Sequence, residues 1–307
     1  MPKISIIGAG MTGATAAHWL AERELADLVL VDVIEGMPQG KALDLLEAMP
    51  IVNKDSHIVG SNDYAATGGS DLVVITAGIP RKPGMSREDL VNTNTDIVKK
   101  ATEATLKHSP NAIFIILTNP LDSMCYVAMK AGGLPRQRVL GQAGILDSAR
   151  MRAFVALELG VSVENVACYV LGGHGDSMVP LTRHSNVAGV PLDKMLPADK
   201  LAAIVDRTRK GGGEIVALLK QGSAFYAPAA AIAQMAEAIL KDKNLIVACS
   251  IYMQGEYGLK DIFFGVPAQL GAGGLVKVIE YELNKEEQAM LDKSAAEVRE
   301  SSAALKV

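Results

Sequence analysis

The chain has 307 residues, 49% of them hydrophobic and 21% charged, with a formal net charge of −4 at pH 7. That composition is globular rather than disordered or fibrous, and the length suffices for two ordinary domains. A net negative chain has no global basic field to gather nucleic acid or anionic lipid, so an anionic substrate must be held by a few local cations. Cys125, Cys168 and Cys249 are far apart, odd in number and form no C-x-x-C pair. A disulfide framework or a metal site is therefore not expected, and a reducing compartment fits best. The N-terminal run lacks the pattern of a signal peptide, and no apolar stretch approaches the ~20 residues a membrane helix needs. A cytoplasmic protein with no nucleic-acid or membrane partner is the expectation.

In chain order, Ile4–Ile7 reads as a strand and Met11 to Ala21 as a helix. Strand-like 28–31 is followed by a helical pattern around 41–49, then 57–59 and 72–75 as strands, 87–106 as a helix and 112–117 as a strand. These runs are β-branched and almost continuously apolar, as parallel strands buried on both faces must be. Their alternation with helices predicts a doubly wound α/β sheet of Rossmann type. Past about Gly144 the pattern changes to long helical stretches over 201–220 and 224–241, strand-like 245–253 and 262–266, and a charged closing helix from Lys285. The expected division is residues 1–143 as a dinucleotide-binding domain and 144–307 as an α+β catalytic domain, sharing a substantial interface. Clefts between domains commonly hold small-molecule sites.

The turn Gly8-Ala9-Gly10-Met11-Thr12-Gly13 directly follows the first strand and opens a helix, the context a G-x-G-x-x-G motif requires. Gly8 permits the tight turn, Gly10 lets a pyrophosphate approach the backbone, and Gly13 lets helix and strand pack closely. The helix N-terminus then presents free N–H groups and a positive dipole end to the phosphates. Asp32 ends the second strand, 19 residues after Gly13, where its carboxylate can accept from both adenosine ribose hydroxyls and would repel a 2′-phosphate. NAD is therefore expected over NADP. Gly211-Gly212-Gly213 reads as a helix break, and Gly271-Ala272-Gly273-Gly274 as a turn between strands.

Four further segments carry candidate chemistry. Gly172-Gly173-His174-Gly175-Asp176 strips side-chain bulk from both sides of one imidazole at the end of a strand-like run, leaving a turn histidine or a general acid/base as readings. His18, His57, His108 and His184 sit singly in ordinary contexts and read as structural. In Leu146-Asp147-Ser148-Ala149-Arg150 the acid and the base lie three apart, on one face of a helix. The loop Arg81-Lys82-Pro83-Gly84-Met85-Ser86-Arg87 gathers cations after the fourth strand, and Thr118-Asn119-Pro120 follows the fifth, at the carboxyl end of the sheet where ligands bind.

Together with the glycine turn and Asp32, these segments resemble the lactate/malate dehydrogenase family, from Lys3 to the C-terminal helix. Within it they look most like the malate enzymes whose sequences lie close to lactate dehydrogenase. The resemblance implies reversible NAD-dependent oxidation of (S)-malate to oxaloacetate in a homodimer or homotetramer. It implies that His174 shuttles the hydroxyl proton and that Asp147 holds the imidazole in the needed tautomer. Arg150 would clamp the C1 carboxylate bidentately, Arg87 would polarise the carbonyl as a loop closes, and Asn119 would bond near the same site. Gly8 through Gly13, Asp32, Asn94, Thr118 and Asn119 would contact the cofactor. Arg81 falls at the family's discriminating position, arginine in malate enzymes and typically glutamine in lactate enzymes. It can pair the second carboxylate of malate, whereas closing over pyruvate would strand a buried charge at a cost of about 3–5 kcal/mol. Lactate dehydrogenase is the near alternative. An NAD-dependent glycosidase would need a Cys/His metal site, and a non-catalytic NAD-sensing module would have no use for His174, Asp147 and three arginines.

Overall fold

In a computed structural model, residues 1–80, 87–303 and 305 are described, with Arg87 described in its backbone alone. The first half runs β1 (Lys3–Ile7), α1 (Met11–Glu22), β2 (Asp27–Val31), α2 (Met37–Ala48), β3 (Ile58–Ser61), β4 (Leu72–Ile75), α3 (Arg87–Leu106), β5 (Ile113–Ile116), α4 (Leu121–Gly132) and β6 (Val139–Gly141). The second runs α5 (Gly144–Leu159) and five two-residue strands, β7 (Val166–Ala167), β8 (Val170–Leu171), β9 (Val179–Pro180), β10 (Asn186–Val187) and β11 (Val190–Pro191). It continues through α6 (Leu192–Met195), α7 (Ala198–Leu219), α8 (Tyr226–Leu240), β12 (Leu245–Gln254), β13 (Lys260–Gly271), β14 (Gly274–Val278) and α9 (Lys285–Ala303).

Among the described residues nine strands form one sheet in the order β14-β13-β12-β6-β5-β4-β1-β2-β3. The six strands β1 to β6 pair in parallel, and their order 3-2-1-4-5-6 reverses between β1 and β4, which opens a crevice at the strands' carboxyl ends. Alternate residues of one strand serve opposite faces: Leu72 and Val74 join the core beneath α1 and α8, whereas Val73 and Ile75 join the core beneath α4. That two-sided burial is the reason these strands are apolar at every position.

The doubly wound half and the α+β half expected from the sequence are both present. The sequence did not anticipate that they share a sheet: β12, β13 and β14 add antiparallel strands beyond β6. Nor did it anticipate how deeply α8 is buried. Its alanine-rich surface packs against α1, and Arg23 at the end of α1 pairs with Glu237 at 3.3 Å.

Other differences are local. Helix α2 begins at Met37 rather than near Lys41, and Pro38 in its first turn was a start signal in plain view. The strand-like run 166–171 breaks into β7 and β8, which belong to different sheets. The expected break at Gly211–Gly213 does not exist, since α7 runs unbroken through all three glycines. Three glycines weaken a helix by roughly 0.8–1.0 kcal/mol each relative to alanine, so their presence calls for a packing reason. Gly211 supplies one: a Cβ there would collide with Arg150, with its Nε at 2.6 Å. The turn expected at Gly271–Gly274 joins β13 to β14, with Gly274 at φ +88°. The three cysteines are free and buried, and no described helix is long and apolar enough to cross a membrane.

Candidate active site

The glycine turn sits at the switch between β1 and β4. Gly8 adopts φ +104°, and a Cβ on it would lie 2.6 Å from the Ala77 nitrogen. A Cβ on Gly13 would run into the Gly8 carbonyl oxygen, so the first turn of α1 rests directly on the loop. Gly10 is different: nothing lies within 4 Å of where its Cβ would be. The loop is tight where strand and helix meet, and open at the one position where a pyrophosphate needs bare backbone. This is the cradle a dinucleotide requires.

Asp32 lies beside that turn and also shapes it. Its Oδ2 accepts from the Ala9 N–H at 2.7 Å and its Oδ1 from the Ile34 N–H at 3.1 Å, leaving further lone pairs for hydroxyl donors. On the neighbouring loops Thr118 donates to the Ala77 carbonyl at 2.6 Å. The Asn94 amide donates to the carbonyls of Asn119 at 2.7 Å and Ile79 at 3.2 Å, and accepts from the Ile79 N–H at 2.9 Å. Both Asn94 donors are thus spent on backbone, so this residue sets the shape of the two loops beside the crevice. Asn119 itself is exposed at the crevice, preceding a cis peptide bond to Pro120.

The second cluster is assembled from three distant segments. His174 follows β8 through Gly172, at φ +102°, and Gly173, whose absent Cβ leaves room for Val298 of α9 at 2.5 Å. Asp147 and Arg150 lie on α5, one turn apart as their spacing requires. Asp147 is 2% exposed, and its two oxygens divide between an imidazole and a guanidinium: Oδ2 meets His174 Nδ1 at 3.0 Å, and Oδ1 accepts from Arg150 Nη1 at 3.2 Å. The same Nη1 donates to the Thr208 carbonyl of α7 at 3.4 Å. Among the described residues Arg150 Nε and Nη2 have no hydrogen-bond partner, so that edge of the guanidinium can take up a carboxylate.

Burial alone would depress the His174 imidazole, but the charge and hydrogen bond of Asp147, together with the charge of Asp122, outweigh it. The group is raised above the usual imidazole value. With Nδ1–H committed to Asp147, Nε2 carries the lone pair of the neutral ring. Cavities of about 240 Å³ beside His174 and about 320 Å³ beside Arg150 flank the pair.

The structure thus unites His174, Asp147 and Arg150, and places the glycine turn, Asp32, Asn94, Thr118 and Asn119 around one crevice. Arg81 and the side chain of Arg87 lie outside the described residues. Sequence reasoning missed Gly211, which makes room for Arg150. It also missed Asp122 in the first turn of α4, whose Oδ2 accepts from the His174 backbone N–H at 3.2 Å. Gly211 had a signal, a glycine triplet inside a helical pattern. Asp122 had none beyond its nearness to Thr118-Asn119-Pro120.

Comparison with known proteins identifies the family of the chain. The family model of the lactate/malate dehydrogenase NAD-binding domain matches residues 2–141, and that of the family's α/β C-terminal domain matches residues 145–306. A malate dehydrogenase of Roseiflexus sp. is 59% identical over 305 residues, 99% of each chain. One of Desulforudis audaxviator is 60% identical over 297 residues, 97% of this chain and 96% of its own. Among solved structures, Cryptosporidium parvum malate dehydrogenase superposes with a TM-score of 0.96 at 43% identity, covering 99% of both chains. The lactate dehydrogenase of the same organism, complexed with lactic acid and cofactor, gives 0.95 at 43% identity, covering 98% of this chain and 97% of its own. Two substrate names share one backbone, so the fold does not choose between them.

Proposed function

Because the chain belongs to the lactate/malate dehydrogenase family, we propose that it interconverts (S)-malate and oxaloacetate with NAD through a His174–Asp147 proton relay. The observation that carries this reading is the 3.0 Å contact of His174 with a buried carboxylate that also holds Arg150. The names of the relatives at 59–60% identity support malate over lactate.

Arg150 receives the C1 carboxylate on its free edge, which fixes C2 and its hydroxyl toward His174. Nε2 accepts the hydroxyl proton as the C2–O bond becomes a carbonyl, and Asp147 stabilises the imidazolium that forms. NAD supplies the two-electron acceptor for the hydrogen leaving C2, and the glycine turn, Asp32 and Thr118 are the residues that would hold it. In reduction the imidazolium returns the proton to the carbonyl oxygen. On the same reading Arg87 polarises that oxygen and Arg81 pairs the second carboxylate. Residues 1–143 then bind the cofactor and 144–307 the substrate.

The test is an NADH oxidation assay with oxaloacetate against pyruvate, repeated with NADPH. Oxaloacetate with NADH is expected to win by orders of magnitude, and Arg81→Gln should reverse much of that preference. Equal kcat/KM for both acids, in wild type and variant alike, would refute the substrate assignment. Self-association is part of the reading. Leu43, Leu46 and Ile51 on α2 and just after it, and Leu157 and Leu218 on α5 and α7, are exposed, as faces awaiting a second copy would be. Light scattering of the purified chain should give a dimer or tetramer. The free, buried cysteines are compatible with a cytoplasmic setting.

A further inference from the structure

We propose that Asn62 is a positioning residue for the cofactor, the side chain that fixes the Asp32–Ile34 segment against which the adenosine half of NAD binds. This rests on the reading of Asp32 as the acceptor of the ribose hydroxyls. Asn62 Nδ2 donates to the Asp32 carbonyl at 2.7 Å and to the Ile34 carbonyl at 2.9 Å. Both partners can only accept, so the NH₂ end of the amide is the end that faces them. The other end is used as well: Oδ1 accepts from Gln39 Nε2, in the first turn of α2, at 2.7 Å. One side chain thus joins the end of β3, the segment after β2 and the start of α2. Asn94 uses its amide in the same way on the loops after β4 and β5.

Such an anchor works only from a fixed base, and the backbone on either side of Asn62 is fixed. Ser61 pairs with Val31 at the end of β3, and its carbonyl accepts from the Asp32 N–H at 3.3 Å. Ser61 Oγ accepts from the Asp63 N–H at 2.9 Å and donates to the Asp63 carbonyl at 3.1 Å. Asp63 in turn caps the 3₁₀ turn Tyr64–Thr67, its Oδ1 accepting from the Ala65 N–H at 2.9 Å. Asn62 is the tip of a turn closed on both sides.

The segment it holds has two tasks. The Asp32 carboxylate is aimed by the Ala9 and Ile34 N–H groups, so its direction depends on where the Ile34 backbone lies. Adenine is joined to the ribose that Asp32 receives, and a flat apolar ring beside that carboxylate needs an apolar wall. Val33 and Ile34 follow Asp32 directly, and both are large, apolar and exposed. A wall of exposed side chains is only as firm as the backbone beneath it, and ordering that backbone at the moment of binding would cost affinity. Asn62 has the order in place beforehand.

Asn62 is itself exposed, outside the apolar core, so the substitution Asn62→Ala removes both donors without opening a cavity. The NADH dissociation constant, titrated through the cofactor's fluorescence, should rise about tenfold, the worth of one to two hydrogen bonds. AMP, which carries the adenosine half alone, should lose the same factor as a competitor of NADH. In turnover the loss should fall on KM for NADH, with kcat at saturating cofactor and KM for oxaloacetate unmoved. Asn62→Asp keeps the shape but turns a carboxylate toward two carbonyls, and should weaken AMP and NADH further.

Unchanged AMP and NADH affinities in folded Asn62→Ala would overturn the proposal even if the melting temperature fell, since a bond that is merely structural would do that much. A loss of NADH affinity that AMP does not share would overturn it too. Should the Ala variant fail to fold, Asn62→Ser is read in the same way. Wild-type AMP affinity in Asp32→Ala would instead overturn the underlying reading. The two failures are distinct.

Discussion

The glycine-turn crevice and the His174–Asp147–Arg150 cluster are built in different ways. In the crevice each decisive contact involves backbone: a Cβ on Gly8 would meet the Ala77 nitrogen, one on Gly13 the Gly8 carbonyl, and Asp32 accepts from the Ala9 N–H. In the relay cluster they are made by side chains brought from far apart: His174 to Asp147 across 27 residues, His174 to Asp122 across 52, and Ser250 to Asp122 across 128. Binding a dinucleotide needs a surface of N–H groups that a local turn can offer. Moving a proton needs charges at fixed distances, which only packed elements supply. Damage to one region should leave the other standing.

The sharpest separation comes from His174→Asn, which should lose activity by roughly a hundred- to ten-thousandfold while NADH still binds. Near-normal turnover would take His174 out of the chemistry. The reverse separation is expected of Gly13→Ala. The new methyl group meets the Gly8 carbonyl and should cost about 1–3 kcal/mol through overpacking, read as a lower melting temperature and weaker NADH binding. An unperturbed NADH affinity would mean that the loop gives way easily and that its tightness is unimportant.

A smaller effect is expected where the relay meets the substrate. In Gly211→Ala the added Cβ displaces Arg150, so KM for oxaloacetate should rise about tenfold, with NADH affinity untouched. A change in kcat alone would point instead to Asp147, the other partner of Arg150.

The pH dependence is the finest probe. His174 is raised above the ordinary imidazole value, burial opposing the shift and Asp147 and Asp122 driving it. Malate oxidation needs the neutral ring and should rise with pH through that raised value, while oxaloacetate reduction should fall through the same range. The sign for stability follows from the same shift. The contribution of this group is fully present below the ordinary imidazole value and is lost as pH climbs through the raised one. Asp147→Asn should pull both limbs toward lower pH. Limbs that stay in place would show that another group is being titrated.

The sequence by itself determined β1 to β5 and most of the helices, because a parallel strand buried on both faces has to be apolar throughout and a helix has to be amphipathic. It also located the glycine turn, whose signal lies in consecutive residues. The pairing of Asp147 with Arg150 was legible for the same reason, being a spacing on one helix. Tertiary structure decided what spacing cannot encode. It placed His174 on the free oxygen of Asp147, turned a suspected helix break into the space Arg150 occupies, and carried the sheet past β6 so that Ser250 could reach Asp122. A buried carboxylate leaves no periodic trace in a sequence. Its role depends on which donors the rest of the chain brings to it, and those donors are set by packing across many residues.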